Sequence, residues 1–162
     1  MKGLSAVYNP FRRMTSGYYG GLEGIMHLQM RGDDLYPTRG EEPYIWEYLS
    51  FVNTTNTKDL SWGNIYEGIQ MANEFIYRAA TVDMDETKRE QMIGEAYFLR
   101  GFWYFRLRTD YRDAVIRTLP QDADPETHGL SSGDEVLEQA ISDFKEAKSR
   151  LPNFVQAMRT VV

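Results

Sequence analysis

The chain has 162 residues, no cysteine and a formal net charge of −6. The missing thiols exclude disulfides, thiolate metal sites and Cys nucleophiles. The acidic balance, with no dense Lys/Arg cluster, argues against nucleic acid as a partner, and no apolar run is long enough to cross a bilayer as a helix.

The length suits one domain, or part of a larger one. The first residues, MKGLSAVYNPF, lack the sustained apolar core of a secretory signal. Leu4, Val7 and Tyr8 recur at helical spacing, which predicts a helix near residues 1–14. Pro10 is expected to break that helix or open a new turn with Asn9 as its cap. Leu22, Ile25, Met26 and Met30 predict a modest second helix over residues 21–30.

The pattern fails from Arg31 to Thr57. Two prolines, two glycines and an Asn/Thr tract make this a long irregular loop. It carries Tyr36, Tyr44, Trp46, Tyr48 and Phe51, and long loops in compact domains are often functional. A third helix follows over residues 59–80, with Asp59 or Ser61 as cap. Ile65, Ile69, Ala72 and Ile76 mark its buried face. Asn73 lies on or beside that face, where it reads as a buried amide bonding a neighbouring loop backbone.

The densest signal is GEAYFLRGFWYFRLRTDY, Gly94 to Tyr111. Met92, Ala96, Leu99, Trp103 and Leu107 follow the helical period, and Phe98, Phe102 and Phe105 form a second row. A face this wide predicts a hub helix over residues 85–109, covered on more than one side, with Asp85 as its N-cap. Gly94, Ala96 and Gly101 leave room for close helix approach. The interleaved Arg100, Arg106, Arg108 and Arg112 read as snorkelling side chains paired with acids. Tyr111 to Gly133 is loop, because Leu119-Pro120 and Asp124-Pro125 disfavour regular helix. A last helix spans residues 132–150, with Val136, Ala140, Phe144 and Ala147 inward. Its acids sit at the N-terminal end and its bases at the C-terminal end, as the helix dipole prefers. Pro152 stops it, and the apolar tail NFVQAMRTVV follows.

Enzymatic signatures are missing. His27 and His128 have no metal-ligand spacing, and no P-loop, GxGxxG or GxSxG is present. The acid pairs Asp33-Asp34 and Glu41-Glu42 read as solvated loop residues rather than a glycosidase pair. The chain is therefore expected to have no catalytic residue, no metal and no cofactor. Sugar binding fits better. Aromatic rings stack on pyranose faces while Arg, Asn and Asp bond hydroxyls, and the loop from Asp33 to Asn56 offers both types. The competing reading makes those rings the lid of the helical core.

Four segments, in order, resemble the SusD/RagB family of outer-membrane glycan-binding lipoproteins: GDDLYPTRG, SWGNIYEGIQMANEFI, GEAYFLRGFWYFRLRTDY and SSGDEVLEQAISDFKEAKSRLP. The resemblance implies an all-α fold of tetratricopeptide-like antiparallel helix pairs with a long aromatic loop, residues 1–162 forming the incomplete N-terminal helical region. It implies capture of oligosaccharides or other nutrients at the cell surface beside a SusC-like TonB-dependent transporter, without enzymatic activity. Arg39 and Trp46 match a region that supplies glycan contacts in starch-binding members, and Tyr44 is added on its chemistry. Membrane association would come through a lipid anchor on a Cys that this chain lacks. Where the family has Gly-Asp-x-Pro after the hub helix, this chain reads Tyr111-Arg112-Asp113-Ala114. Members are considerably longer, so the chain reads as an N-terminal portion. The alternative is a helical protein–protein interaction module without glycan binding. A face of the hub turned toward helices beyond this chain would leave part of Phe98, Phe102 or Trp103 exposed.

Overall fold

The computed structural model describes residues 2–15 and 62–152. Among them are four α-helices, α1 (Lys2–Thr15), α2 (Trp62–Ala79), α3 (Glu86–Asp110) and α4 (Gly133–Arg150), and no strand. The helix expected over residues 21–30 and the aromatic loop lie outside the described residues. So do the tail beyond Pro152 and the caps proposed at Asp59 and Ser61. The chain divides into two compact units, residues 1–9 with 65–162 and residues 10–64.

Helix α1 corrects one expectation. It runs through Pro10 without a break. A proline inside a helix forfeits its own N–H bond, here the one to Ala6, and this helix carries that loss rather than ending at it.

Helices α2, α3 and α4 begin and end close to where their patterns place them. Asp85 caps α3, its carboxylate accepting from the Lys88 N–H at 3.0 Å. Ser132 caps α4 in a reciprocal box: its hydroxyl accepts from the Glu135 N–H, and the Glu135 carboxylate accepts from the Ser132 N–H at 2.7 Å.

Antiparallel packing of α2 and α3 depends on Gly68. A Cβ there would lie 2.4 Å from the Trp103 indole nitrogen, so only glycine admits the ring. Trp103 is consequently fully buried, as are Ile65, Ile69, Tyr104 and Leu107. The small residues of α3 do what their spacing predicts. A Cβ on Gly101 would meet Phe144 at 3.0 Å, and one on Gly94 would meet Leu151 at 3.1 Å. These two contacts set α4 antiparallel along α3. From α1, buried Val7 joins this core, and the Tyr8 hydroxyl donates to Glu95 at 2.7 Å.

Candidate functional site

The polar chemistry of the described residues converges on the segment after α3. Arg100, on the buried face of α3, presents its fork to Asp143 of α4 through Nε (2.9 Å) and Nη2 (2.7 Å). Its Nη1 donates to Asn73 Oδ1 of α2 at 2.8 Å and to the Thr118 carbonyl at 3.0 Å. Gln139 supplies Asp143 with a further donor at 3.0 Å. The Asn73 amide nitrogen donates to the carbonyls of Arg117 (2.9 Å) and Leu119 (3.2 Å). One residue from each of three helices is thus joined to one loop.

Two tyrosines complete the clasp. The Tyr66 hydroxyl accepts from the Val115 N–H at 2.8 Å and donates to the Val115 carbonyl at 2.9 Å. Tyr104 treats Arg117 in the same way, at 2.8 and 2.5 Å. Each hydroxyl satisfies both backbone groups of one residue, the role a neighbouring strand would play. Ala114 pairs with Ser131 on the other side of the segment. Ala114 is thus held by backbone pairing, and residues 115–119 by side chains rather than by a sheet.

Burial dominates the electrostatics. It pushes the Asp143 carboxyl above the ordinary aspartate range, and the bonds from Arg100 and Gln139 pull it part of the way back. Burial raises the Tyr104 hydroxyl strongly. Tyr8 is pushed up to about 12 by burial and by its bond to Glu95. Each nitrogen of the Arg100 guanidinium and both carboxylate oxygens of Asp143 have a protein partner, so the arrangement fixes geometry rather than moving protons. No group of three or more metal-ligating side chains occurs among the described residues. His128 Nε2 meets Asp124 Oδ2 at 2.6 Å, a part-buried pair within the loop between α3 and α4.

Asn73 behaves as its position predicts. The arginines do so only in part: Arg106 pairs with Asp110 at 2.8 Å, whereas Arg100 is a core residue and does not snorkel. The roles of Tyr66, Tyr104 and Asp143 were not read from the sequence. A signal existed for two of the buried charges. Arg100 lies between Leu99 and Trp103 on the inward arc of α3, and Asp143 lies between Ala140 and Ala147 on that of α4. A charge at a core register needs a partner of opposite sign.

An apolar cleft of about 320 Å³ opens beside this core, lined by Gly3, Ala6, Met71, Phe75, Met84 and Met92, with Glu74 and Arg78 at its edge. Methionines give it an adaptable wall. Sugar recognition requires several convergent polar groups around a ring face, and here Glu74 and Arg78 are already engaged with each other at 2.6 Å. The cleft does not have the lining of a glycan site. The candidate contacts Arg39, Tyr44 and Trp46 all lie outside the described residues.

A family model described as "Starch-binding associating with outer membrane" (SusD-like_3) matches residues 33–161. The chain belongs to the SusD-like family. SusD-like protein P38 of Formosa agariphila is 26% identical over 155 residues, which is 92% of this chain and 29% of that protein. A solved "Laminarin binding SusD-like protein" superposes with a TM-score of 0.79 at 24% identity, over 93% of this chain and 33% of its own. A structure described "with xylogluco-oligosaccharide" gives 0.70 at 20% identity, over 92% and 30%. At these identities the structural likeness is one of fold, and it agrees with the all-helical architecture expected from the sequence. The chain spans about a third of the length of the SusD-like proteins it matches.

Proposed function

We propose that this chain belongs to a surface glycan-binding protein of an outer-membrane uptake system, which captures oligosaccharides and presents them to a SusC-like TonB-dependent transporter without cleaving them. The family match over residues 33–161 carries the reading. The descriptions of the two solved relatives, naming laminarin and a xylogluco-oligosaccharide, support a glucan as the ligand class. Arg39, Tyr44 and Trp46 are the proposed contacts: the two rings offer apolar faces for a pyranose, and the guanidinium bonds its hydroxyls. The clasp around residues 114–119 supports a structural role for the hub helix. Of its aromatic residues Trp103 and Tyr104 build the core, and recognition is assigned to the loop before Asn56.

The test is a titration with laminarin- and xyloglucan-derived oligosaccharides followed by tryptophan fluorescence. Trp103 is buried against Gly68 and is not expected to respond. Saturable quenching that disappears in Trp46→Ala is the expected result. Quenching unchanged in that variant would remove Trp46 from the site. Release of shorter sugars from an intact oligosaccharide would overturn the non-enzymatic reading.

A further inference from the structure

Asp124-Pro125 is the single Asp-Pro bond of the chain, and it lies in the loop between α3 and α4. Such a bond is the peptide linkage most easily split by acid. The aspartate carboxyl reaches its own carbonyl carbon through a five-membered ring, and the proline nitrogen leaves readily once protonated. Two side chains of the same loop engage this bond. His128 Nε2 lies 2.6 Å from Asp124 Oδ2 and so fixes the carboxyl. Oδ1 has no hydrogen bond among the described residues, which leaves it to attack. Arg117 spans the linkage: its Nη1 donates to the Asp124 carbonyl at 3.4 Å and its Nη2 to the Glu126 carbonyl at 2.9 Å, one on either side of Pro125. A guanidinium at the attacked carbonyl polarises it and faces the negative charge that develops on that oxygen. The Asp124 N–H is held by the Pro120 carbonyl at 3.0 Å, and Pro125 and Glu126 are exposed to water. The other charges nearby are the Glu126 carboxylate and Asp122, which Arg78 of α2 pairs at 2.8 Å.

We propose that Asp124-Pro125 is a self-cleavage site, with Asp124 as the nucleophile, Arg117 on the reacting carbonyl and His128 as a positioning residue. Oδ1 adds to the Asp124 carbonyl carbon. The C–N bond to Pro125 breaks, and the proline nitrogen departs with a proton from solvent. One water then opens the cyclic anhydride left on Asp124, restoring the side-chain carboxyl and creating a free α-carboxyl. The net change is a hydrolysis that needs no cofactor and occurs once per chain. Its products are residues 1–124 and 125–162. The Arg100 bonds to Asp143 and the seat of Phe144 on Gly101 still join them, so the nicked protein stays assembled until it is denatured. Because the leaving nitrogen must be protonated, cleavage is faster in mild acid than at neutral pH.

Denaturing mass spectrometry of the 162-residue chain, sampled during incubation in mildly acidic buffer, tests this. Two fragments are expected, one ending at Asp124 and one beginning at Pro125. The folded chain should cleave roughly tenfold or more faster than the peptide QDADPETHG in the same buffer, because only the fold holds Arg117 and the carboxyl in place. Asp124→Ala and Pro125→Ala should abolish the reaction. Arg117→Lys keeps the charge but not the two-carbonyl grip, and should slow it. His128→Ala should slow it as well, whereas His128→Gln keeps an N–H for Oδ2 and should recover much of the rate. Circular dichroism confirms that each variant keeps its helix content, and the His128 pair decides the question even if Arg117→Lys disturbs the loop. A folded chain that cleaves no faster than the peptide would overturn the proposal. So would fragments that persist in Asp124→Ala, or folded His128→Ala cleaving at the native rate.

Discussion

The Tyr104 hydroxyl donates to the Arg117 carbonyl at 2.5 Å and accepts from the Arg117 N–H at 2.8 Å. One side-chain atom thus satisfies both backbone groups of a residue on the adjoining loop. Tyr66 and Val115 repeat the relationship from the neighbouring helix. The hub helix and its partner therefore hold the loop at residues 115 and 117, two apart, as the alternation of an extended segment requires.

Removing the Tyr66 hydroxyl orphans the Val115 N–H and carbonyl together, and removing the Tyr104 hydroxyl orphans the Arg117 N–H while the Arg117 carbonyl keeps the Asn73 amide. Tyr104→Phe is expected to cost about 1–3 kcal/mol, the penalty for leaving buried polar groups unmade. Tyr66→Phe should cost less, because Tyr66 is the less buried of the two. Urea denaturation of the single and double variants checks this. Hydrogen exchange should localise the effect to the amides of Val115 and Arg117. Unchanged exchange at Arg117 in Tyr104→Phe would refute the clasp.

The buried pair should respond differently. Asp143→Ala leaves the Arg100 guanidinium in the core without its bidentate acceptor, and such a rupture costs about 3–5 kcal/mol. Removing both charges, as in Arg100→Met with Asp143→Leu, should cost far less than the sum of the single changes. The Asn73 and Thr118 groups that Arg100 serves would still be left short. A double-mutant cycle read by thermal unfolding measures the coupling. Strict additivity would show that the pair does not act as a unit.

Much of this architecture was legible because α2, α3 and α4 bury continuous faces. Periodicity located them, and Asp85 marked the start of α3. The sequence also announced Gly94 and Gly101, since small residues on an aromatic-rich helix predict close approach. Gly68 was less visible: the residue it accommodates, Trp103, lies 35 positions away, and spacing within one helix cannot reveal that pairing. The tyrosine clasp was hidden for a related reason. Tyr66 and Tyr104 sit at ordinary core registers, and only the arrival of a loop beneath their hydroxyls turns them into backbone partners. Pro10 misled because a local rule for helix breaking was outweighed in a helix that continues on both sides of it. The exposure foreseen for the hub's outer face holds for Phe98 and fails for Trp103. Those two residues are five apart and so lie on different sides of the helix. Of the candidate glycan site, the sequence offered chemistry only, because Arg39, Tyr44 and Trp46 stand in a loop without periodic structure to fix their geometry.

Arg112 adopts a φ of 70°, the left-handed conformation, at the turn that leads off α3. That turn lets Asp113 accept the Gly133 N–H at 2.7 Å and so serve the start of α4. A glycine would enter this conformation without a Cβ penalty. Arginine incurs about 1–2 kcal/mol, and its exposed side chain makes only a loose contact to Asp113 at 3.8 Å. Arg112→Gly is therefore expected to stabilise the protein by about 0.5–1 kcal/mol, the strain relief less the extra chain entropy of glycine. Arg112→Ala keeps the strain and should gain nothing. A higher midpoint in urea for Gly but not for Ala would establish the backbone origin of the effect.

The cap of α4 gives the fold a dependence on pH. The hydroxyl and N–H of Ser132 hold the Glu135 carboxyl below the ordinary glutamate range. A carboxylate depressed in the folded state stabilises it fully above the unfolded value, and that contribution is lost as pH falls through the folded value. Thermal stability should therefore decline on acidification below the ordinary glutamate range, partly through this group. Ser132→Ala removes both the hydroxyl donor and the cap acceptor, and should cost about 1 kcal/mol at neutral pH. It should also shrink the acid-dependent share, because only the backbone bond then favours the ionised form. Glu135→Gln keeps a side chain able to accept from the Ser132 N–H but cannot titrate. Its melting temperature should fall less than that of the native chain over the same acidic interval. Parallel slopes for the two proteins would show that the capping carboxylate contributes nothing to acid sensitivity.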